Sequence, residues 1–335
     1  MSSAWDSGFM VREPSWHRQE NAVLKESPRT WEAARQQAGL LWEVQTGKVH
    51  VDWMGPDEVD PETSLRRTTE VPEYQAIFRD DTNAVLAIRP RSYQVINNAQ
   101  FGDVIDEVLG IEEDEHVEFE ALMSLYGGRQ IVALVFFSTP LSMPWDNSPN
   151  FTFCAINSRH DGQGGLKLFP TNIRIQCGNT FNTAEMTDGR AYGRTIRHTS
   201  NWQERITELR QEMIAARGEG QRWVEFAEQL ALWKTTARQE DTYLKRIFPV
   251  SDENGPRKND NQLENRAAVK TILSGTTCEH IKGTGYGLLM ATTEWSDHYR
   301  TVQNPDTYVS RQLLRVEEPK ARAARVLRQM AGIKV

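Results

Sequence analysis

The sequence predicts an α+β protein: an antiparallel sheet with a strand-strand-strand-helix core, followed by a largely helical C-terminal part. Residues 130–138 (QIVALVFFS) form a continuous apolar and β-branched run, which is typical of a strand buried on both faces. Residues 151–157 and 165–175 have the composition of two further strands joined by a glycine-rich turn. Beyond residue 200, apolar residues recur at steps of three and four, which favours helices.

The composition indicates a globular chain with ample core-forming material. The chain has 335 residues, of which 39% are hydrophobic and 25% are charged. This composition excludes a wholly disordered protein, and a folded chain of this size buries roughly three quarters of its unfolded surface, which supports one large domain or two modest ones. The longest apolar run, 131–137, is far shorter than the roughly 20 residues that span a bilayer, so we expect no membrane segment.

The cysteines and the first residues bear on the compartment. The three cysteines, at 154, 177 and 278, are too few for a disulfide framework, and their odd number fits a reducing compartment. Residues 1–16 contain no apolar signal-peptide core. We therefore expect a cytoplasmic location, which is the host cell cytoplasm if a phage encodes the protein.

The chain divides into an acidic N-terminal part (1–126), a β-β-β-α core (127–200) and a helical part (201–335), which are separate domains or one integrated domain. The acidic part has helix-forming, strand-forming and turn residues in clear blocks. Its predicted elements are a helix at 30–38 that stops at Gly39, a strand at 41–44, a loop at 54–72, a hairpin of 74–79 with 84–88, and a helix at 101–110.

Two sets of residues are predicted to mark the ends of elements in the β-β-β-α core. Asp161 and Gly162 are predicted to form the turn between its second and third strands, because glycine adopts positive φ and aspartate stabilises turns. After the third strand we predict the entry to a short helix in 176–186. Asn179 or Thr180 would cap this helix by accepting from an unpaired amide of its first turn.

The helical part has long periodic segments separated by polar residues. Its predicted elements are helices at 202–217, 221–247, 263–273 and 319–330, with a flexible loop at 251–262. The aromatic stripe of the second helix, which begins at Trp223 and Phe226, is interpreted as core rather than as a cofactor site. The glycines of 283–287 lack the complete phosphate-binding pattern, so they predict a turn or a close helix approach.

The net charge of −7 conceals an asymmetry between the two halves. Residues 1–150 carry 12 basic and 25 acidic side chains, whereas residues 151–335 carry 27 basic and 21 acidic ones. Because electrostatic fields are local, the second half is able to face nucleic acid and the first half is not.

A group of basic residues after the second predicted strand suggests a polyanion-binding platform. Cations on a sheet followed by a helix, beside Phe169 and Tyr192, offer phosphate contacts and stacking surfaces. The candidate nucleic-acid-binding residues are Arg159, Lys167, Arg174, Arg194, Arg197 and His198. The odd spacing of Lys167 and Arg174 leaves open whether both lie on one face of the sheet.

Two other classes of function remain open. His160, Asp161, Cys177 and His198 would suit a Cys/His nucleophilic enzyme, or a metal-dependent one with 278–280 and 297–298, acting on nucleotides or a host component. Their spacings match no established catalytic or metal signature, so we assign no catalytic residue, metal or cofactor. The third class is a protein-binding regulator that uses the acidic first half as its interface.

Short motifs along nearly the whole chain resemble the phage/plasmid-like family known as domain of unknown function 932. The motifs are 13–17 (EPSWH), 38–44 (AGLLWEV), 79–81 (RDD), 91–98 (RSYQVINN), 127–130 (GGRQ), 158–162 (SRHDG), 174–180 (RIQCGNT), 196–199 (IRHT), 283–286 (GTGY) and 293–298 (TEWSDH). In the family's first motif a glycine usually follows the histidine, where this chain has Arg18. The resemblance implies a phage, prophage or plasmid setting and no established activity.

The predicted strand order leads to a sharper hypothesis by analogy. Single-strand annealing proteins of phage recombination systems hold stretched DNA against a three-stranded antiparallel sheet followed by a helix, usually within oligomeric rings. We therefore expect a non-enzymatic protein that binds single-stranded DNA, with homo-oligomerisation as a further possibility. Because fold analogy does not establish function, the sites have to be tested directly.

Overall fold

The computed structural model describes residues 5–11, 23–54, 66–109, 118–136, 143–147, 150–174, 179–182, 194–196, 222–300 and 318–333. Within these ranges, the side chains of 5, 54, 66–67, 108–109, 150–152, 169–174, 179–182, 194–196 and 318 are not described. Helices and two sheets of mainly antiparallel strands are present, and helices dominate the described C-terminal residues, so the predicted α+β class is confirmed.

In the described residues, eleven strands form two sheets. The strands are β1 (Trp5–Val11), β2 (Val23–Leu24), β3 (Val44–Met54), β4 (Arg66–Arg79), β5 (Val85–Pro90), β6 (Phe119–Leu125), β7 (Gln130–Phe136), β8 (Asn150–Arg159), β9 (Leu166–Arg174), β10 (Asn179–Asn182) and β11 (Arg194–Ile196). The helices are α1 (Trp31–Ala38), α2 (Asn98–Leu109), α3 (222–232), α4 (Ala237–Ile247), α5 (Pro256–Leu273), α6 (Gly285–Glu294) and α7 (Glu318–Ala331).

The larger sheet has the order β10-β9-β8-β7-β6-β1-β2, and β11 also pairs with β9. All its pairs are antiparallel except β1 with β2. Strand β7 is buried over residues 130–135, and alternate residues enter two apolar clusters on opposite faces. The predicted two-sided burial of this strand is confirmed, because both faces of the sheet are covered.

The smaller sheet has the order β3-β4-β5 and contains the predicted hairpin of 74–79 with 84–88. Asn83, at φ 56, supplies the left-handed residue of the turn. The predicted strand at 41–44 is wrong except at Val44, where β3 begins. The predicted loop at 54–72 is wrong from residue 66 onward, because Thr68 and Thr69 continue β4 beside the far end of β3.

Helix α1 forms as the sequence predicts. The Thr30 hydroxyl accepts from the Ala33 N–H at its start, and Gly39 ends it at φ 69. Arg35 then donates to the Leu40 carbonyl and forms an ion pair with Glu43. The Glu43 carboxylate also accepts from the backbone N–H of Asn98, so α1, β3 and α2 are tied together at one point.

Three predictions on elements after residue 175 are wrong. Asn179 and Thr180 do not cap a helix, because they lie in β10 opposite Arg174 and Ile173 of β9. The single helix predicted at 221–247 is two helices, and a capping box of Thr236 with Gln239 starts the second. The loop predicted at 251–262 ends at Gly255, because Pro256 occupies the first turn of α5.

Helix α6 is the centre of the helical part, and every one of its residues is buried. A Cβ on Gly287 would lie 2.3 Å from the Ile281 carbonyl oxygen, and one on Gly285 would lie 2.6 Å from the Trp233 ring. Gly285 and Gly287 therefore serve a close helix approach, whereas Gly283 adopts φ 71 and a Cβ there would meet open space. The core role of Trp223 is likewise confirmed.

Within the described part of the chain, no helix combines the length and apolar character needed to cross a membrane. The predicted helix at 202–217 lies outside the described residues, as do Arg197 and His198.

Candidate functional site

The turn between β8 and β9 is held by an arginine–aspartate pair. The Arg159 guanidinium donates through Nε to Asp161 Oδ1 at 2.9 Å and through Nη2 to Asp161 Oδ2. Its Nη1 donates to Gln130 Oε1 at 3.2 Å, and Asp161 also accepts from the Gln163 N–H at 3.0 Å. Arg159, a predicted phosphate-binding residue, is therefore engaged within the protein.

The electrostatics of this pair favour both charged forms. Burial alone would raise the pKa of the Asp161 carboxyl, but hydrogen bonds from Arg159 and Gln163 outweigh it and hold the pKa below its usual value. The hydrogen bond to Asp161 raises the pKa of Arg159. A bidentate pair of this kind fixes geometry as well as charge, so its role is to hold the turn.

The smaller sheet clamps the same turn. Arg89 donates through Nε and Nη2 to the Asp161 carbonyl at 2.9 and 2.6 Å, and Tyr93 donates its hydroxyl to the Arg159 carbonyl at 3.0 Å. Gly162 adopts φ 63, and a Cβ there would lie 2.4 Å from Arg89 Nε. Asp161 and Gly162 lie in this turn, and burial raises the pKa of Tyr93.

His160 also has a structural environment. It is 1% exposed, its Nε2 lies 3.1 Å from Asn98 Oδ1, and its ring meets the edge of Trp42. Asn98 in turn donates to the Trp42 carbonyl at 2.7 Å. A histidine enclosed in this way packs against the start of α2 and the segment before β3, and it lacks open access for a substrate. The Cys177 and His198 of the proposed Cys/His site lie outside the described residues.

The remaining cationic positions gather along strand β9. Its outer edge is shared by two strands, with β10 pairing at 171–174 and β11 pairing at 166–168. The register sets Arg194 opposite Leu168 and Thr195 opposite Lys167, so two cationic positions distant in sequence become neighbours. Arg174 lies seven positions farther along the same strand, opposite Asn179. Positions an odd number apart in one strand belong to opposite faces, which answers the question left open by spacing alone.

The sequence of these strands is one-sided in charge. Strands β9 (LKLFPTNIR), β10 (NTFN) and β11 (RTI) contain three basic residues and no acidic residue. Amide and hydroxyl residues make up much of the rest. A cationic and amide-rich strand surface is the composition that polyanion-binding sheets use.

A second polar cluster joins the segment after β7 to the helical part. The Asp146 carboxylate, whose side chain is 0% exposed, lies 2.9 Å from His280 Nε2 through Oδ1 and accepts from the Tyr286 hydroxyl at 2.8 Å through Oδ2. The Trp145 ring meets the Tyr286 ring edge-on. Sequence reasoning missed Asp146, because its partners lie more than a hundred residues away and no local pattern marks it.

The basic C-terminal helix turns much of its charge inward. Lys320 is 0% exposed and forms an ion pair with Asp297 at 2.5 Å. Arg322 donates to the Ile247 carbonyl, and the Arg328 guanidinium lies over the Phe226 ring. These contacts make α7 a packing element, so its basic residues are not a continuous binding face.

The two cysteines that the structure describes are enclosed. Cys154 and Cys278 are both 0% exposed and lie in apolar clusters. Across the described ranges, no three His, Cys, Asp or Glu side chains are grouped so that they could hold a metal ion.

Comparison with known families identifies the chain. A model of the family described as Domain of unknown function (DUF932) matches residues 85–326, which run from β5 into α7. No curated protein and no solved structure matches the chain. The match covers most of the larger sheet and the helical part, including the β9 edge and the Asp146 cluster. The chain therefore belongs to the family of proteins with the domain of unknown function DUF932.

Proposed function

We propose that this protein binds single-stranded nucleic acid through phosphate contacts along β9, as a non-enzymatic DNA-binding or annealing protein of a phage or plasmid in the cytoplasm. The observation that carries the proposal is the charge of β9, β10 and β11. They hold three basic and no acidic residues in a chain whose net charge is −7. A local excess of positive charge of this kind attracts phosphate even on an acidic protein.

The strand register sets the positions of Arg174 and Arg194 on one face of the sheet, because Arg194 lies opposite Leu168, and Lys167 on the other face, so the proposed site borders the β9 edge from both faces. Lys167 and the backbone of Arg194 lie on adjacent strands, and Arg174 extends the cationic positions along β9. Arg197 and His198 follow β11 directly in the sequence. Arg159 is assigned to holding the turn, because its guanidinium already pairs with Asp161. The proposed phosphate-binding residues are thus Lys167, Arg174, Arg194, Arg197 and His198.

Composition supports single strands over duplexes. Strands β9 and β10 each contain one phenylalanine, at 169 and 181, among the cationic and amide residues. Exposed bases of a single strand stack on aromatic rings without regard to sequence, whereas duplex bases are already stacked. We expect the binding affinity to depend strongly on salt concentration and little on base sequence.

The experiment is a binding assay with labelled oligonucleotides and a charge-reversal variant. Lys167→Glu with Arg174→Glu should weaken single-strand binding by at least about tenfold, because two phosphate contacts are lost. Arg257→Glu with Lys258→Glu makes the same change in net charge at exposed positions of α5 and should leave affinity within about twofold. Equal affinity for all three proteins would refute the proposal.

One observation favours an enzyme as a second candidate. A buried carboxylate that orients an imidazole, as Asp146 orients His280, is an arrangement used in general acid–base catalysis. The metal-dependent or Cys/His enzyme that the sequence leaves open predicts stoichiometric metal after purification or a reactive thiolate. Elemental analysis and thiol labelling of the purified protein test it, and inertness in both assays would count against it.

A further inference from the structure

The smaller sheet separates its charged side chains from its apolar ones. On one face, Lys48 forms an ion pair with Glu70 at 2.8 Å, and the Thr68 hydroxyl donates to Asp52 at 2.7 Å. Arg91, which directly follows β5, pairs with Glu70 as well, at 3.0 Å. The charged groups of this face are therefore paired within one copy of the protein.

The opposite face of the sheet begins with the odd-numbered residues of β3. Because side chains alternate along a strand, Val51 and Trp53 lie on the side away from the charged face. Two contacts agree with this assignment. The Trp53 indole donates to the Thr69 hydroxyl at 3.1 Å, and a Cβ on Gly47 would lie 3.1 Å from the Phe78 ring. The alternation therefore holds on both sides of the irregularity in the β3–β4 ladder.

Strands β4 and β5 complete this second face. The register sets Ala76 opposite Ile88, and Phe78 opposite Val85. Among the positions that the two ladders place on the face, Arg67 at its far end is the only charged residue. We call it the uncharged face, and its large apolar residues include Val51, Trp53, Tyr74, Phe78, Val85 and Ile88.

The uncharged face is open to solvent. Ten large apolar side chains are exposed in the described part of the chain, and five of them lie on this face. They are between 42% and 55% exposed, and they are Val51, Trp53, Tyr74, Val85 and Ile88. Single exposed apolar residues are ordinary, but several neighbours on one surface mark an interaction site. We therefore expect a partner to cover the uncharged face.

The charge of the chain favours a second copy as that partner. Residues 1–150 carry 25 acidic and 12 basic side chains, so two copies of this part repel each other wherever their acidic surfaces meet. A twofold dimer brings the same surface of both copies together, so that surface has to be complementary to itself. An apolar face with almost no charge meets this condition. Two sheets commonly stack face to face in this way, about 10 Å apart.

The size of the face fits a weak dimer. Strands lie about 4.8 Å apart and rise about 3.3 Å per residue, so residues 45–53 with their neighbours on β4 and β5 cover roughly 350 Å² in projection. Two copies would bury at least about twice this area, which is below the roughly 1,600 Å² of a standard interface. Interfaces of this smaller class are transient, so we expect the dimer to dissociate at micromolar concentrations.

We propose that two copies of this chain associate through the uncharged face, stacking sheet on sheet about a twofold axis. The ion pairs of Lys48 and Arg91 with Glu70 are kept in the dimer, because they lie on the other face. The burial of apolar side chains supplies the affinity. The proposal stands independently of nucleic-acid binding, because it uses a different sheet and a different measurement.

Sedimentation of the full-length protein over a concentration series tests the proposal. The wild type should be a dimer that dissociates on dilution. Ile88→Glu should weaken the dimer by at least about tenfold, because it brings two like charges into an apolar contact. Leu263→Glu is the matched control, because Leu263 is 51% exposed on α5, and it should leave dimerisation within about twofold. Added salt should leave the dimer as tight or tighter, because it screens the repulsion between acidic copies, whereas it weakens nucleic-acid binding.

Mixing two variants gives a second readout. Ile88→Lys alone should weaken the dimer as Ile88→Glu does, but a mixture of the two should associate more tightly than either alone, because opposite charges then meet across the interface. Position 88 is exposed, so both variants should keep the thermal unfolding midpoint of the dilute wild type. A wild type that is monomeric at every concentration, a dimer that Ile88→Glu leaves intact, equal weakening by Leu263→Glu, or no gain on mixing would each overturn the proposal.

Discussion

The buried ion pair between Lys320 and Asp297 offers a sharp test of how the helical part is held together. Both side chains are 1% exposed, and their charged atoms lie 2.5 Å apart. Replacing Lys320 with methionine keeps most of the volume of the side chain but leaves the Asp297 carboxylate buried without its cation. The resulting loss is therefore electrostatic rather than a packing defect.

The size of the effect follows from the burial. Removing one partner of a fully buried pair typically lowers the free energy of unfolding by about 3–5 kcal/mol, because the remaining charge is desolvated without compensation. Exposed pairs contribute about 0–1 kcal/mol. The exposed pair of Lys245 with Asp241 serves as the reference, and Lys245→Met should cost less than about 1 kcal/mol.

Urea unfolding followed by tryptophan fluorescence measures both variants. Lys320→Met with Asp297→Leu should recover most of the stability lost in Lys320→Met, because no uncompensated charge remains and apolar side chains fill the site. Two results would refute a stabilising buried ion pair in the core of the helical part. They are a loss below about 1 kcal/mol in the free energy of unfolding for Lys320→Met, and no recovery of stability in the double variant.

Three other predictions concern packing, pH and a buried hydroxyl. Gly287→Ala should lower the free energy of unfolding by about 1–3 kcal/mol or more, because the new Cβ meets a backbone carbonyl, whereas Gly255→Ala has open space; equal losses in calorimetry would contradict this. The stability that the Asp161 carboxylate contributes is present above its unfolded pKa near 4 and is lost as the pH falls through its lower folded pKa. The difference in the free energy of unfolding between wild type and Asp161→Asn should therefore shrink in acid. A difference that stays constant with pH would be contrary evidence. Tyr243→Phe should cost about 0.5–1.5 kcal/mol, because the Tyr243 hydroxyl lies 2.7 Å from Thr292 Oγ1, and a neutral result in urea would show that this bond contributes nothing.

Local sequence signals predicted those elements whose causes are local. The Thr30 cap and the Gly39 stop define α1, and the Asn83 turn joins β4 to β5. Where pairing between distant segments determines the secondary structure, the prediction from local sequence was wrong. Asn179 and Thr180 have good capping side chains, but their backbone pairs with β9 and forms β10. Pairing with a neighbouring strand therefore outweighs the local preference of these side chains for a helix cap.

The break between α3 and α4 has a related cause. The apolar spacing of three and four continues through Trp233, which predicts one helix. The chain instead pauses at Lys234, which bridges to Thr284, and Thr236 restarts the helix with its capping box. The apolar spacing correctly predicted which face of the helices is buried. A local pattern does not show that Lys234 pairs with Thr284, fifty positions later.

The candidate site was predictable in part. The cationic positions 167, 174 and 194 were recognised from residue type, and their gathering on β9 required the strand register. The pairing of Arg159 with Asp161 and Gln130 was not foreseen, because residue type alone does not say which cations are already neutralised. Asp146 carried no signal at all, since its role arises from contacts with His280 and Tyr286.

The most direct test of the central claim is the salt dependence of binding to a labelled single-stranded oligonucleotide. Contacts from the four permanent cations at positions 167, 174, 194 and 197 predict a slope of log affinity against log salt near −3, since each phosphate contact contributes about −0.7. Lys167→Glu with Arg174→Glu should make the slope shallower by about 1.4. A steep slope that becomes shallower in this variant would support a nucleic-acid-binding surface at β9, and absence of binding at low salt would contradict it.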